Sequence, residues 1–129
     1  NIVKRLHLDQ RIIFSSFNPL ALIRAKKILP NTPVGLLALA GKSGWAARSW
    51  PGKLIGYQSI HPDYRDVTHS FVKAAHRMGK YVFVYTVNHS EDMLKLFQMK
   101  VDGIITDDPV LAQQVRASLF SEFPYERSS

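Results

Sequence analysis

The chain has 129 residues, 46% hydrophobic, 21% charged and 11% aromatic, a composition that suits one ordinary folded domain rather than a disordered chain. Lysine and arginine number 17 against 10 aspartate and glutamate, a net charge of +7, yet the basic residues are scattered without the aromatic-flanked stripe of a nucleic-acid binder. With no cysteine, disulfides and thiolate metal sites are excluded, and no apolar run approaches the roughly 20 residues of a membrane helix.

The chain opens on Asn1 rather than Met, with Val3, Leu6 and Leu8 already in an apolar pattern, as expected of the interior of a longer polypeptide. Residues 11–15, through Ile12, Ile13 and Phe14, predict a first strand. Asn18 as N-cap and Pro19 at the first helical position start a helix; Lys26 and Lys27 suit its negative end, and Pro30 stops it. Residues 34–39 are almost continuously apolar, the pattern of a parallel strand buried on both faces. Gly41, Gly44, Pro51 and Gly52 break any long element after it, and Trp45 and Trp50 suit a short helix or loop packed over the sheet end.

A third strand is predicted over 54–59, leading through Ile60, His61 and Pro62 into a loop, and a helix over 67–78 closed by Gly79. Residues 81–86 are the clearest strand, since Val, Phe and Tyr fill nearly every position. Asn88, with Glu91 three residues on, offers a capping-box start for a helix reaching Met99, and Ser90 competes as the cap. A short fifth strand over 103–106 meets Asp107, Asp108 and Pro109, which open a last helix ending near Leu119; residues 124–129 form a polar tail.

Five β-rich runs alternating with helices predict an α/β fold with a parallel sheet. Periodicity leaves two architectures open, part of an eight-stranded barrel or a small doubly wound sheet, and no glycine-rich nucleotide loop supports the latter as a nucleotide binder. In both, ligand-facing groups follow the carboxyl ends of the strands, at 15–18, 39–41, 59–61, 85–88 and 106–108. His61 is the sole histidine there, and no second acid or base accompanies it by spacing, so a pocket-lining role outweighs a catalytic one. His69 and His76 stand two helical turns apart, too far for a metal pair, and His7 and His89 are isolated. Asp107 and Asp108 have the oxygens a hard cation takes, but capping of the helix that follows is the stronger reading. Ser15 and Ser16 lack the glycines of a nucleophile elbow.

Four strings, IIFSSFNPLAL (12–22), YQSIHP (57–62), YVFVYTVN (81–88) and VDGIITDDP (101–109), together resemble glycerophosphodiester phosphodiesterases, in order over about residues 11–116. The last two at their mutual spacing carry most of the resemblance, and YQSIHP is a loose match. The resemblance implies a TIM-type (β/α)8 barrel that hydrolyses deacylated phospholipids to glycerol 3-phosphate and an alcohol, with a divalent cation, Mg2+ or Ca2+, at its mouth. It aligns the five strands with the fourth to eighth of that barrel and makes the whole of 1–129 its C-terminal part. The family's His-Arg-Gly, Glu-x-Asp and His-Asp segments, and its Glu near a Lys, belong to the first three strands and are not among these residues.

The chain is therefore expected to carry no catalytic residue and no family metal ligand, and to be inactive alone. It is expected to supply the pocket wall through Tyr85, where the family has an aromatic that packs on the glycerol moiety, and through Ser16, Phe17 and His61 at strand ends. A non-catalytic segment acting as an assembly or binding module is the alternative. Open parallel edges predict pairing with a missing N-terminal part or self-association.

Overall fold

The computed structural model describes residues 2–37 and 56–122. After a one-turn helix α1 (Ile2–Arg5), strands and helices alternate: β1 (Phe14–Ser16), α2 (Pro19–Ile28), β2 (Val34–Leu37), β3 (Ser59–His61), a 3-10 turn (Tyr64–Asp66), α3 (His69–Arg77), β4 (Tyr81–Val84), α4 (Ser90–Gln98), β5 (Gly103–Ile104) and α5 (Pro109–Glu122). The predicted break at 41–52 with Trp45 and Trp50, the far end of the second strand and the polar tail lie outside the described residues.

All neighbouring strands pair in parallel, in the sequential order β1-β2-β3-β4-β5. A doubly wound sheet reverses its strand order at a switch point and carries helices on both faces. Here the order never reverses among the described residues. One core joins Leu22 of α2, Val72 and Ala75 of α3, and Met93 and Leu96 of α4 to Val34, Leu36, Ile60, Val82 and Val84 of the strands. This is the winding of a barrel wall, helices outside and strands inside.

Register sorts the side chains. Ile60 pairs with Leu36 and Val82, all towards the helices, so the opposite face carries Ser15, Gly35, Leu37, Ser59, His61, Tyr81, Phe83 and Gly103. That second face has no helix against it among the described residues, and Tyr81 is 57% exposed. Gly35 is required there by close approach: a Cβ on it would stand 2.4 Å from Nε2 of His61 and 2.7 Å from Oγ of Ser59.

The predicted start of α2 holds, and α3 begins at His69, two residues inside the predicted 67, behind Thr68 as its cap. Asn18 Oδ1 accepts from Leu20 N at 2.9 Å with Pro19 following, and Thr68 Oγ1 accepts from Phe71 N at 3.1 Å. Gly79, at φ +71°, lies just beyond the end of α3. Three expectations are corrected. Strand β3 is Ser59–His61 and so runs past the predicted end at 59; residues 54 and 55 lie outside the described residues, Gly56 has φ +61°, and Gln58 N donates to Val34 O ahead of the strand. Strands β1, β4 and β5 are also shorter than predicted, since hydrogen-bonded pairing rather than β propensity sets their ends. Neither Asn88 nor Ser90 caps α4: His89 holds that position without a side-chain bond, while Asn88 is engaged across the sheet.

Candidate pocket wall at the carboxyl ends of the strands

Beyond β3 and β4 the ladder continues past the last strand residues. Tyr85 N donates to Pro62 O at 3.1 Å, and Tyr64 N donates to Tyr85 O at 2.9 Å, which sets Asp63 beside Tyr85 in parallel register. Tyr85 thus follows Tyr81 and Phe83 on the helix-free face. Its ring meets Phe17, just after β1, edge to face with centroids 6.2 Å apart. Three strand spacings separate β1 from β4, about 14 Å in a flat sheet. Contact across that span needs a sheet that curls towards this face. Burial, followed by the negative charges of Asp63 and Asp66, raises the Tyr85 phenol above its ordinary value of 10.0, so at neutral pH it keeps its proton.

Of the four expected wall residues, the structure brings Phe17 and Tyr85 together and leaves Ser16 and His61 apart from them. Ser16 Oγ accepts from Asn18 N at 3.0 Å, which ties it into the turn before α2. His61 is 3% exposed, packed edge-on against Phe83 at 5.5 Å, with Nε2 2.9 Å from Ser59 Oγ. Its Nδ1 is buried without a hydrogen-bond partner. Burial lowers its pKa from 6.5, so the ring is neutral at pH 7 and fits a wall better than a proton carrier.

Sequence reasoning missed two groups. Asp63, 7% exposed, receives Arg65 Nε at 2.9 Å and Nη2 at 2.9 Å, and its Oδ1 also caps the 3-10 turn by accepting Arg65 N at 3.0 Å. The Arg65 guanidinium, chiefly by its hydrogen bonds, holds the Asp63 carboxyl below its ordinary value against the opposing effect of burial. An acid two residues before an arginine after a strand was the available sign. The second group joins two strand ends: Asn88 Oδ1 accepts from Asp107 N at 3.0 Å and Thr106 Oγ1 at 3.2 Å, and Asn88 Nδ2 donates to Asp107 Oδ2 at 2.9 Å. Asp108 alone caps α5, accepting Leu111 N at 3.0 Å.

At the amino ends of β4 and β5, a cavity of about 290 Å³ is lined by His76, Gly79, Lys80, Tyr81 and Asp102. Its polar groups are committed to structure. Asp102 Oδ2 accepts from Val82 N at 2.7 Å and lies 2.7 Å from His76 Nε2, while Lys80 Nζ donates to Tyr57 O at 2.6 Å. Ligands of parallel α/β folds gather at the other end of the strands.

The sequence profile of the glycerophosphoryl diester phosphodiesterase family matches residues 1–111. The chain belongs to this family. As a glycerophosphoryl diester phosphodiesterase family member it is 35% identical over 108 residues to a glycerophosphodiester phosphodiesterase of Caldanaerobacter subterraneus subsp. tengcongensis, covering 83% of this chain and 43% of that protein. Among solved structures, a Silicibacter pomeroyi protein provisionally named a glycerophosphoryl diester phosphodiesterase superposes with a TM-score of 0.80 at 30% identity, covering 91% of this chain and 41% of the other. An Oleispira antarctica phosphodiesterase, solved with its product sn-glycerol-3-phosphate, gives 0.68 at 25% identity, with 83% and 41% covered. The chain therefore spans about two fifths of the length of these relatives.

The cation that the family resemblance implies can be tested against the donors present. Among the described residues no three His, Asp or Glu side chains converge where a metal ion would sit. Asp107 and Asp108, the nearest candidates by sequence, are taken up by Asn88 and by the α5 cap. These residues do not fit a metal site.

Proposed function

We propose that the chain forms β/α units four to eight of a TIM-type (β/α)8 barrel that hydrolyses glycerophosphodiesters to glycerol 3-phosphate and an alcohol. Its part is to shape the substrate wall and close the barrel. One observation carries the reading: in a sheet of family sequence, wound without reversal, Phe17 and Tyr85 meet across four strands at the carboxyl edge. An amphipathic ring suits a glycerol moiety there, with an apolar face for the carbon chain and a protonated hydroxyl for its oxygens. Phe17 adjoins Tyr85 in this wall, His61 supports it one step back through Phe83, and Ser16 serves it only by fixing the turn after β1.

In this reading the acid-base groups and the ligands of a divalent cation, Mg2+ or Ca2+, come from the complementing part of the barrel, and the chain alone is inactive. The open face supports that complement. Ile13, Phe17, Tyr81 and Ile105 are 40–57% exposed on or beside it, an apolar surface that a closed barrel buries. Without a complement the same surface and the two sheet edges drive self-association.

Glycerophosphocholine hydrolysis with added Mg2+ or Ca2+ tests the proposal. The chain alone is expected to show no turnover, and addition of the N-terminal part of a family barrel to restore it. Turnover by the chain alone would overturn the assignment of catalysis to the complement. The alternative, an assembly module without catalytic context, predicts binding of the complement with no activity.

A further inference from the structure

We infer that Arg65 is a specificity residue for the second alcohol of the diester, selecting polyol head groups over trimethylammonium ones. The inference rests on the proposed diester site and goes beyond it, since Tyr85 serves the glycerol common to all these substrates. The starting observation is register. Asp63 is the parallel partner of Tyr85, and Arg65 binds both carboxylate oxygens of Asp63 through Nε and Nη2. The guanidinium is therefore anchored at the rim of the wall that carries Tyr85. Its carbon also sits 5.9 Å from the centre of the Tyr64 ring, which supports one of its faces.

A guanidinium has five N–H donors in a planar fork. Asp63 takes two, and the remaining three have no acceptor among the described residues. The side chain is 63% exposed, so those donors face water at the mouth. A free surface arginine loses side-chain entropy when it binds a ligand, whereas this one is already held, so less order is lost per bond formed.

The choice of ligand class follows from charge. Asp63 at 2.9 Å offsets most of the guanidinium charge, so the pair presents fixed donors rather than a strong positive field. A neutral polyol, with several hydroxyl oxygens as acceptors, matches such donors. A trimethylammonium group has no acceptor for them. In the proposed site the glycerol lies on Tyr85, the second ester arm runs outward, and Arg65 stands beside that exit.

Saturation-transfer NMR on the 129-residue chain complemented with the N-terminal part of a family barrel, in metal-free buffer, tests this, with glycerophosphoglycerol, glycerophosphoinositol and glycerophosphocholine competing in one sample. The two polyol diesters are expected to win. Arg65→Ala should weaken them about tenfold, the loss of one or two charge-assisted hydrogen bonds, and change glycerophosphocholine less than about twofold. Arg65→Lys, which keeps the charge and loses the fork, should not restore the preference. The amide spectrum of each variant reports folding, and Arg65→Gln, which retains two donors, is expected to keep part of the preference. Equal weakening of all three ligands, full rescue by lysine, or an unchanged ranking in Arg65→Ala overturns the inference while leaving the diester site standing. If none of the diesters binds, the site and the inference fall together.

Discussion

On the helix side of the sheet, Val34, Leu36, Ile60, Val82 and Val84 are at most 2% exposed, whereas on the other side Tyr81 is 57% exposed, although the strands and their backbone bonds are common to both. The helix side is a finished core, closed by Leu22, Val72 and Met93. The other side is finished only locally, where His61, Ser59 and Phe83 pack around Gly35 and where Phe17 reaches Tyr85. The helix side holds the chain together, and the far side stays partly open among the described residues. The difference shows that the closed core and the open face are separated by the two-residue alternation of the strands.

The most severe way to break that contrast is to remove volume from each face in turn. Ile60→Ala should lower stability by about 2–5 kcal/mol, while Tyr81→Ala should stay within about 0.5 kcal/mol in urea denaturation of the chain alone at a dilution where light scattering finds it monomeric. Comparable losses would mean that the open face is covered in solution. Gly35→Ala probes the packed patch of the open face, where the added methyl meets His61 and Ser59; a cost of about 1–3 kcal/mol is expected, and a smaller one in a His61→Ala background.

Asp102→Asn tests the amino ends. It weakens both the Val82 N–H bond and the His76 contact, so a loss of about 1–2 kcal/mol is expected, along with amide-exchange protection at Val82. The smallest effect is one of pH. The folded state keeps His61 neutral below its ordinary value of 6.5, whereas the unfolded chain takes up the proton there. Stability is therefore fully present above that value and declines as pH falls towards the lowered folded pKa. Urea midpoints between about pH 8 and pH 5 should show the decline in the native chain and a shallower one in His61→Gln.

Much of the helix side was legible because its signals are local. Asn18 with Pro19, Gly79 after α3 and Asp108 with Pro109 each act within one turn, and their caps fall where their residue types predict. The alternation that buries Val82 and Val84 is equally local. The α/β class followed from these, while periodicity alone left open whether the sheet is part of a barrel or doubly wound. The third strand reaches His61 because its pairing with Leu37 of β2 continues past the predicted end, which the neighbouring strand and not the local run decides. Asn88 was misread since the amide that suits a cap also suits a bridge, and only the neighbouring end of β5 decides between them. At the candidate wall, Tyr85 is singled out by family resemblance. Its contact with Phe17 depends on curvature accumulated over four strands, and the Asp63–Arg65 pair on a turn extending the ladder beyond β3. Neither property resides in a short window of sequence.

The Asn88 bridge also bears on how the protein ages. Hydrolysis of the side-chain amide to a carboxylate would remove the donor that meets Asp107 Oδ2 at 2.9 Å and set two like charges in its place. The ends of β4 and β5 would then repel each other where Val87 N now donates to Ile105 O. An Asn88→Asp variant, which mimics that change, should exchange the Val87 amide faster than the native chain, so a single lost amide would loosen the rim while the helix-side core stays intact.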